Sequence, residues 1–127
     1  MAGLYESGEN YLETILMLQK KGVAVRSIDI ATELEYSKPS VSRAVGILKN
    51  GGFITVAQDG YITLTDAGRE VAERIYERHT VFTKWLMDLG VDEKTAAEDA
   101  CKLEHNISDL SFRKLKEHIK EKHGNIL

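Results

Sequence analysis

This chain has little cysteine, little proline and no long apolar run: one Cys, one Pro and one Trp occur in 127 residues. A single thiol excludes an intrachain disulfide. In a reducing cytoplasm, the expected compartment, such a thiol stays available as a ligand. No apolar stretch approaches the ~20 residues needed to span a bilayer, so no membrane partner is expected. Met1-Ala2-Gly3-Leu4-Tyr5-Glu6 lacks the basic and then apolar layout of a secretory signal. Internal repeats and low-complexity segments are missing too. Nor is there a surplus of positive charge: a net charge of -3 excludes a protein that binds nucleic acid over its whole surface. What is present, 43% hydrophobic and 29% charged residues, suits a folded chain with one compact domain or two small ones sharing a core.

The pattern along the chain predicts a mainly α fold with one β-hairpin. Gly8 to Lys20 repeats apolar residues at helical spacing, with Ser7 as a cap. Val23-Ala24-Val25 is a short extended piece. Ser27 caps a helix from Ile28 to Leu34. Ser37 caps a third helix, from Pro39 to Lys49, where proline in the first turn loses no bond for lack of its N–H. Asn50-Gly51-Gly52 stops it. Phe53–Val56 and Tyr61–Leu64 are strands about an Asp59-Gly60 turn. Thr65 then caps a long helix through His79 and Phe82 towards Leu89. Asp92 caps a helix from Glu93 to about Ile107, and Ser108 opens a last one to Lys122.

Helix, turn, helix and hairpin in this order make a winged helix-turn-helix. Ala31 and Val41 stand where two crossing helices come close, and Ile30, Leu34, Val41, Val45, Ile47 and Leu48 are the expected core behind them. From Ser37 to Gly52 the charged residues are Lys38, Arg43 and Lys49, with no acid among them. Ser37, Lys38, Pro39, Ser40, Ser42, Arg43 and Lys49 are the expected DNA-facing set. Serines and cations suit phosphate oxygens, and Ser42 or Arg43 can reach base edges. The wing tip, Ala57 to Gly60, is a further contact, although Asp59 there disfavours phosphate. The same geometry also serves as a protein docking module.

A second pattern lies in Cys101-Lys102-Leu103-Glu104-His105. Thiol, carboxylate and imidazole at i, i+3 and i+4 share one helical face, and three unlike ligands can begin a site for a divalent transition ion. Such an ion takes four to six ligands. Glu13, with Asn10 one turn earlier, and His79 on the long helix are the candidates to complete the set. Taken singly, each of these residues has an ordinary structural role: a solvated carboxylate, a small core cysteine, a core histidine.

Glu9-Asn10-Tyr11-Leu12-Glu13-Thr14-Ile15, Ile28-Asp29-Ile30-Ala31, Ser37 to Val45, Leu64-Thr65-Asp66-Ala67-Gly68, Arg78-His79 and Glu98 to Ser108 together cover most of the chain. In that order they resemble the diphtheria toxin repressor family, which includes iron-dependent regulators and manganese transport regulators. The resemblance implies a homodimeric, metal-activated repressor, with a winged helix in residues 1–72 and metal-binding and dimerisation helices in residues 73–127. Cys101, Glu104 and His105 match the primary site of the iron branch, where the position of Asn10 is usually methionine. In the manganese branch that position is aspartate. That branch has a glutamate matching Glu13, a histidine matching His79, and glutamate in place of Cys101. The sequence is intermediate. The iron branch's ancillary site would use His79 with Thr83 and Ala97, and the last two are poor ligands. With the chain stopping at Leu127, the expected form is the short two-domain one.

The expectation is therefore a cytoplasmic homodimer that represses transcription from a palindromic operator in double-stranded DNA when loaded with metal. Thiolate softness favours Fe(II), with Mn(II) next. No small organic substrate and no enzymatic activity are expected. Two alternatives stay open: a winged-helix repressor answering to a small organic ligand or to oxidation of Cys101, and, more remotely, a metalloenzyme. Dimerisation would use apolar faces bearing Phe82, Trp85, Leu86, Leu89, Leu103, Leu110 and Leu115.

Overall fold

The computed structural model describes residues 6–124 and 126–127; Met1–Tyr5, most of the stretch read above against a secretory signal, lie outside them. The elements among the described residues are α1 (Glu6–Lys20), α2 (Ser27–Leu34), α3 (Lys38–Asn50), β1 (Ile54–Val56), β2 (Ile62–Leu64), α4 (Asp66–Asp88), α5 (Glu93–Leu103) and α6 (Asp109–His123). The chain is mainly α with one hairpin, as its patterning dictates. It forms two compact units, Met1–Arg74 and Ile75–Leu127, whose boundary falls inside α4. No helix among the described residues is long and apolar enough to cross a membrane.

In the first unit, Leu12, Ile15 and Leu16 of α1, Ile30 and Ala31 of α2, and Val41 and Leu48 of α3 are buried, with Ile54, Ile62 and Leu64 of the hairpin. The apolar stripes of three helices thus close a core above the sheet. β1 and β2 pair antiparallel in the register Ile54↔Leu64, Thr55↔Thr63 and Val56↔Ile62. Ile62 N–H also reaches the Val25 carbonyl at 2.8 Å, so the extended piece before α2 lies against β2. Gly60, at φ 91, takes the left-handed position of the wing turn.

Four local expectations need correction. Ser7 lies inside α1 rather than capping it. Ser27 is the first residue of α2; Arg26 holds the cap position, and its N–H donates to the Asp29 carboxylate at 2.8 Å. Ile47 is 63% exposed, because α3 turns Val41, Val45 and Leu48 inward and leaves Ile47 on the opposite side. Phe53 and Tyr61 flank the strands without joining them. The Ser37 cap does form: its Oγ accepts the Ser40 N–H at 3.3 Å.

Glu35 ends α2 at φ 58, ψ 38, the single non-glycine residue at positive φ among those described. A side chain there costs ~1–2 kcal/mol, against roughly 0.5–1 kcal/mol of extra backbone entropy lost by glycine. Glu35→Gly is expected to raise stability by about 0.5–1 kcal/mol, seen as a higher urea midpoint at unchanged slope. A lower midpoint would mean that the glutamate makes a compensating interaction.

In the second unit, Val81, Phe82, Ala100, Phe112 and Ile119 form the core, and Trp85, Ile107 and Leu115 pack against it. The Phe82 and Phe112 rings meet edge to face at 5.7 Å. α4 ends at Asp88, with Gly90 at φ 104 turning the chain. The Asp92 carboxylate accepts the Thr95 N–H at 3.0 Å, which lowers the Asp92 pKa below the usual carboxylate range. Ser108 caps α6 through the Ser111 N–H at 3.1 Å. Met87, Leu89, Leu103 and Leu110 remain exposed.

Candidate metal centre and nucleic-acid interface

α5 stops four residues earlier than its pattern suggests. The Glu104 N–H still bonds the Ala100 carbonyl at 2.9 Å, so Glu104 keeps helical dihedrals, φ -63 and ψ -23. The chain then tightens. Asn106 N–H reaches back only to Leu103, at 3.1 Å, and the Asn106 side chain donates to the Lys102 carbonyl at 2.8 Å. Asparagine thereby closes the helix end by competing for its last carbonyls. The expectation of one unbroken helical face through His105 is corrected: Cys101 and Glu104 keep the i, i+3 relation, and His105 is placed by the turn.

The three side chains still converge. One ligand atom each from Cys101, Glu104 and His105 lies within 4.8 Å of the others. α4 adds His79, whose Nδ1 stands 3.0 Å from Glu104 Oε2, while His105 Nε2 stands 3.3 Å from Glu104 Oε1. Each carboxylate oxygen thus faces an imidazole nitrogen. Glu104 is 0% exposed, and the His105 side chain 2%. A carboxylate held that far from water needs hydrogen bonds or a cation around it. A sulfur, an oxygen and a nitrogen within 4.8 Å of one another, with a second imidazole on the other oxygen of Glu104, suit a first-row divalent ion, so the residues present fit such a group.

The other expected ligands stand on α1 in the first unit. Glu13 is buried at 4% exposure, and Asn10 is half-buried, its carbonyl accepting the Thr14 hydroxyl at 2.9 Å. The Thr83 hydroxyl donates to the His79 carbonyl at 2.7 Å, and Ala97 offers no donor atom. Sequence reasoning missed Arg78. The signal was present: a cation directly before His79, at a helical position that must turn towards the core.

On α3, Ser37, Lys38, Pro39, Ser40, Ser42, Arg43 and Lys49 are all exposed. Ser37 is engaged with Ser40, donating to its Oγ at 2.8 Å as well as capping. Lys38, Arg43 and Lys49 form no ion pair among the described residues. Ile47, one turn beyond Arg43, adds an apolar group to this exposed side. At the base of the wing, the Arg26 guanidinium sits 4.2 Å above the Tyr61 ring, a cation that the sequence reading left out. Asp59 serves the turn itself, its carboxylate accepting the Tyr61 N–H at 3.4 Å.

Comparison with known proteins covers both units. Residues 3–62 match the iron dependent repressor N-terminal DNA binding domain, and residues 65–123 match the iron dependent repressor metal binding and dimerisation domain. The diphtheria toxin repressor of Corynebacterium diphtheriae is 34% identical over 122 residues, 95% of this chain and 54% of that protein. The chain thus spans about half the length of that relative. An uncharacterised HTH-type transcriptional regulator of Methanocaldococcus jannaschii is 35% identical over 113 residues, 87% of this chain and 90% of its own length. Among solved structures, the manganese regulator SloR superposes with a TM-score of 0.80 at 26% identity, covering 89% of this chain and 53% of that one. The winged helix-turn-helix, the buried donor cluster and these matches together place the chain in the iron-dependent, or diphtheria toxin, repressor family of metal-responsive transcriptional repressors.

Proposed function

We propose that this chain is a metal-dependent repressor that binds promoter DNA as a homodimer when loaded with a divalent transition ion, and so controls metal homeostasis. The observation that carries the reading is the convergence of Cys101, Glu104 and His105, with His79 against the second oxygen of Glu104, within the unit that matches a metal-binding and dimerisation domain. Residues 1–72 are assigned to DNA binding, and residues 73–127 to metal binding and dimerisation. An ion bound at the cluster would supply positive charge and coordination bonds.

Glu104 holds a carboxylate where water does not reach, and Cys101, once ionised, adds a second negative group beside it. His79 and His105 each bring an imidazole nitrogen to one oxygen of that carboxylate. The Cys101 thiolate favours Fe(II), and the harder carboxylate and imidazole donors accept Mn(II) next. The sequence resemblance supplies Glu13 and Asn10 as further donors, and through α1 they would carry metal loading to the DNA-binding unit. The exposed apolar residues Leu89, Leu103 and Leu110 suit a contact between subunits. A free thiol as ligand fits a reducing cytoplasm. In this role the cluster serves regulation and not catalysis.

For DNA, Lys38, Arg43 and Lys49 face phosphates, Ser42 and Arg43 lie nearest base edges, and Ile47 suits a thymine methyl. Symmetric subunits call for a palindromic operator, with half-sites one duplex turn, ~34 Å, apart. The test uses a duplex selected from a random pool by the Fe(II)-loaded protein. Its affinity should fall linearly with salt on logarithmic axes, and Lys38→Ala should reduce the slope by about 1 while weakening all sequences alike. An unchanged slope would remove α3 from the phosphate contact.

A further inference from the structure

Next to His79 on α4, Arg78 is 5% exposed. A charged side chain that far from water persists only among charge and hydrogen-bond partners. All of its polar partners belong to the stretch that follows α5. Nη1 donates to the Glu104 carbonyl at 3.1 Å and to the Ile107 carbonyl at 2.6 Å. Nη2 donates to the Asp109 carboxylate at the start of α6. The guanidinium carbon lies 5.5 Å from the centre of the Phe112 ring. Carbonyls at a helix end have no donor within the helix. Here the two that bracket the turn between α5 and α6 share one guanidinium.

We infer that Arg78 is a positioning residue of the metal centre: it fixes the 104–107 turn, and with it the direction in which Glu104 and His105 present their donors towards Cys101 and His79. The competing conformation is the one that the sequence pattern itself favours, a helix continued to Ile107. A planar fork of N–H donors reaches several acceptors around the turn in fixed directions, which a lysine ammonium does not do. The hydrogen bonds of Arg78 go to two backbone carbonyls and to Asp109, so it acts through the backbone of Glu104. This inference rests on the metal reading of the cluster.

The test is an anaerobic titration of the metal-free full chain with Co(II), following thiolate-to-cobalt absorption and the ligand-field bands. Arg78→Met is expected to bind Co(II) roughly 10- to 100-fold more weakly than the parent, the range for residues that orient metal ligands. Its bands should shift, and far-UV circular dichroism should stay unchanged. Arg78→Lys should resemble Arg78→Met more than the parent. A general loss of packing would lower stability without moving the bands of the loaded protein. Asp109→Asn alters a side chain that is 72% exposed and keeps both carbonyl bonds; it should lose affinity by roughly tenfold, the low end of the same range. If Arg78→Met does not fold, Asp109→Asn decides. Variants that match the parent in affinity and spectrum overturn the role of Arg78 alone. A parent that takes up no Co(II) overturns the metal reading, and this inference with it.

Discussion

Replacing Glu104 by glutamine is expected to abolish the metal response while leaving the fold intact. The substitution keeps size and shape at a fully buried position. It removes the one carboxylate whose two oxygens face His79 and His105, and it puts an amide N–H2 where an acceptor stood. Metal affinity should fall at least 100-fold, equivalent to about 2.8 kcal/mol of binding, and the loaded variant should bind DNA no better than the metal-free one. The stability of the metal-free protein should move the other way. Without a buried charge to compensate, Glu104→Gln should equal the parent or exceed it by up to ~2 kcal/mol. Opposite signs for metal affinity and metal-free stability separate a ligand from a merely structural glutamate. The substitution also separates the rival switch. A repressor governed by oxidation of Cys101 loses its response in Cys101→Ser and keeps it in Glu104→Gln, whereas a metal-governed one loses it in Glu104→Gln.

The largest effect on stability is expected at Gly68, far in sequence from the metal cluster. A Cβ added there would stand 1.9 Å from the Phe53 carbonyl oxygen and 2.9 Å from its carbon. Both are backbone atoms, so no rotamer change relieves the overlap. The carbonyl is held in place because it accepts the Thr65 N–H at 3.1 Å. The Thr65 hydroxyl in turn donates to the Gly52 carbonyl at 2.7 Å and accepts the Gly68 N–H at 3.2 Å. The start of α4 is thus laid directly against the entry to β1, and only a glycine lets the two backbones approach. Helix propensity alone would make alanine the better residue, by ~1 kcal/mol. Overpacking of a fixed backbone outweighs that, and Gly68→Ala should lose about 3 kcal/mol. The thermal midpoint of the first unit would drop by roughly 10 °C or more. A midpoint unchanged or raised would show that α4 can shift away from Phe53 at little cost.

Much of this was legible in the sequence because local chemistry and global fold agree. The Ser37 and Ser108 caps, the proline in the first turn of α3 and the Asp59-Gly60 turn are each settled by a few neighbouring residues, and the structure shows each of them. Where expectation and structure differ, part of the deciding contact is usually remote. Asn106 offers a stop near Glu104, but the end of α5 at Leu103 depends as well on a guanidinium from α4. Periodicity placed Ile47 inside, but an apolar residue beside a buried stripe can fall either way until the neighbouring helix is in place. Residue preference favours Ser27 as the cap, but Arg26 takes that position, since the bond from Arg26 N–H to Asp29 uses a backbone donor that any residue supplies. Of the candidate site, the three residues near position 101 were visible as a group. His79 gained its place only when α4 brought its imidazole to the other oxygen of Glu104.

The central claim is that metal occupancy governs the grip on DNA. It is tested most directly by fluorescence anisotropy on the selected duplex under anaerobic, reducing conditions, with one preparation stripped by chelator and then reloaded with Fe(II) or Mn(II). The account predicts weak, sequence-indifferent binding by the stripped protein and an affinity gain of roughly 5- to 150-fold on reloading, the range of a 1–3 kcal/mol coupling. Equal affinity before and after reloading, in protein whose circular dichroism shows an intact fold, would contradict it.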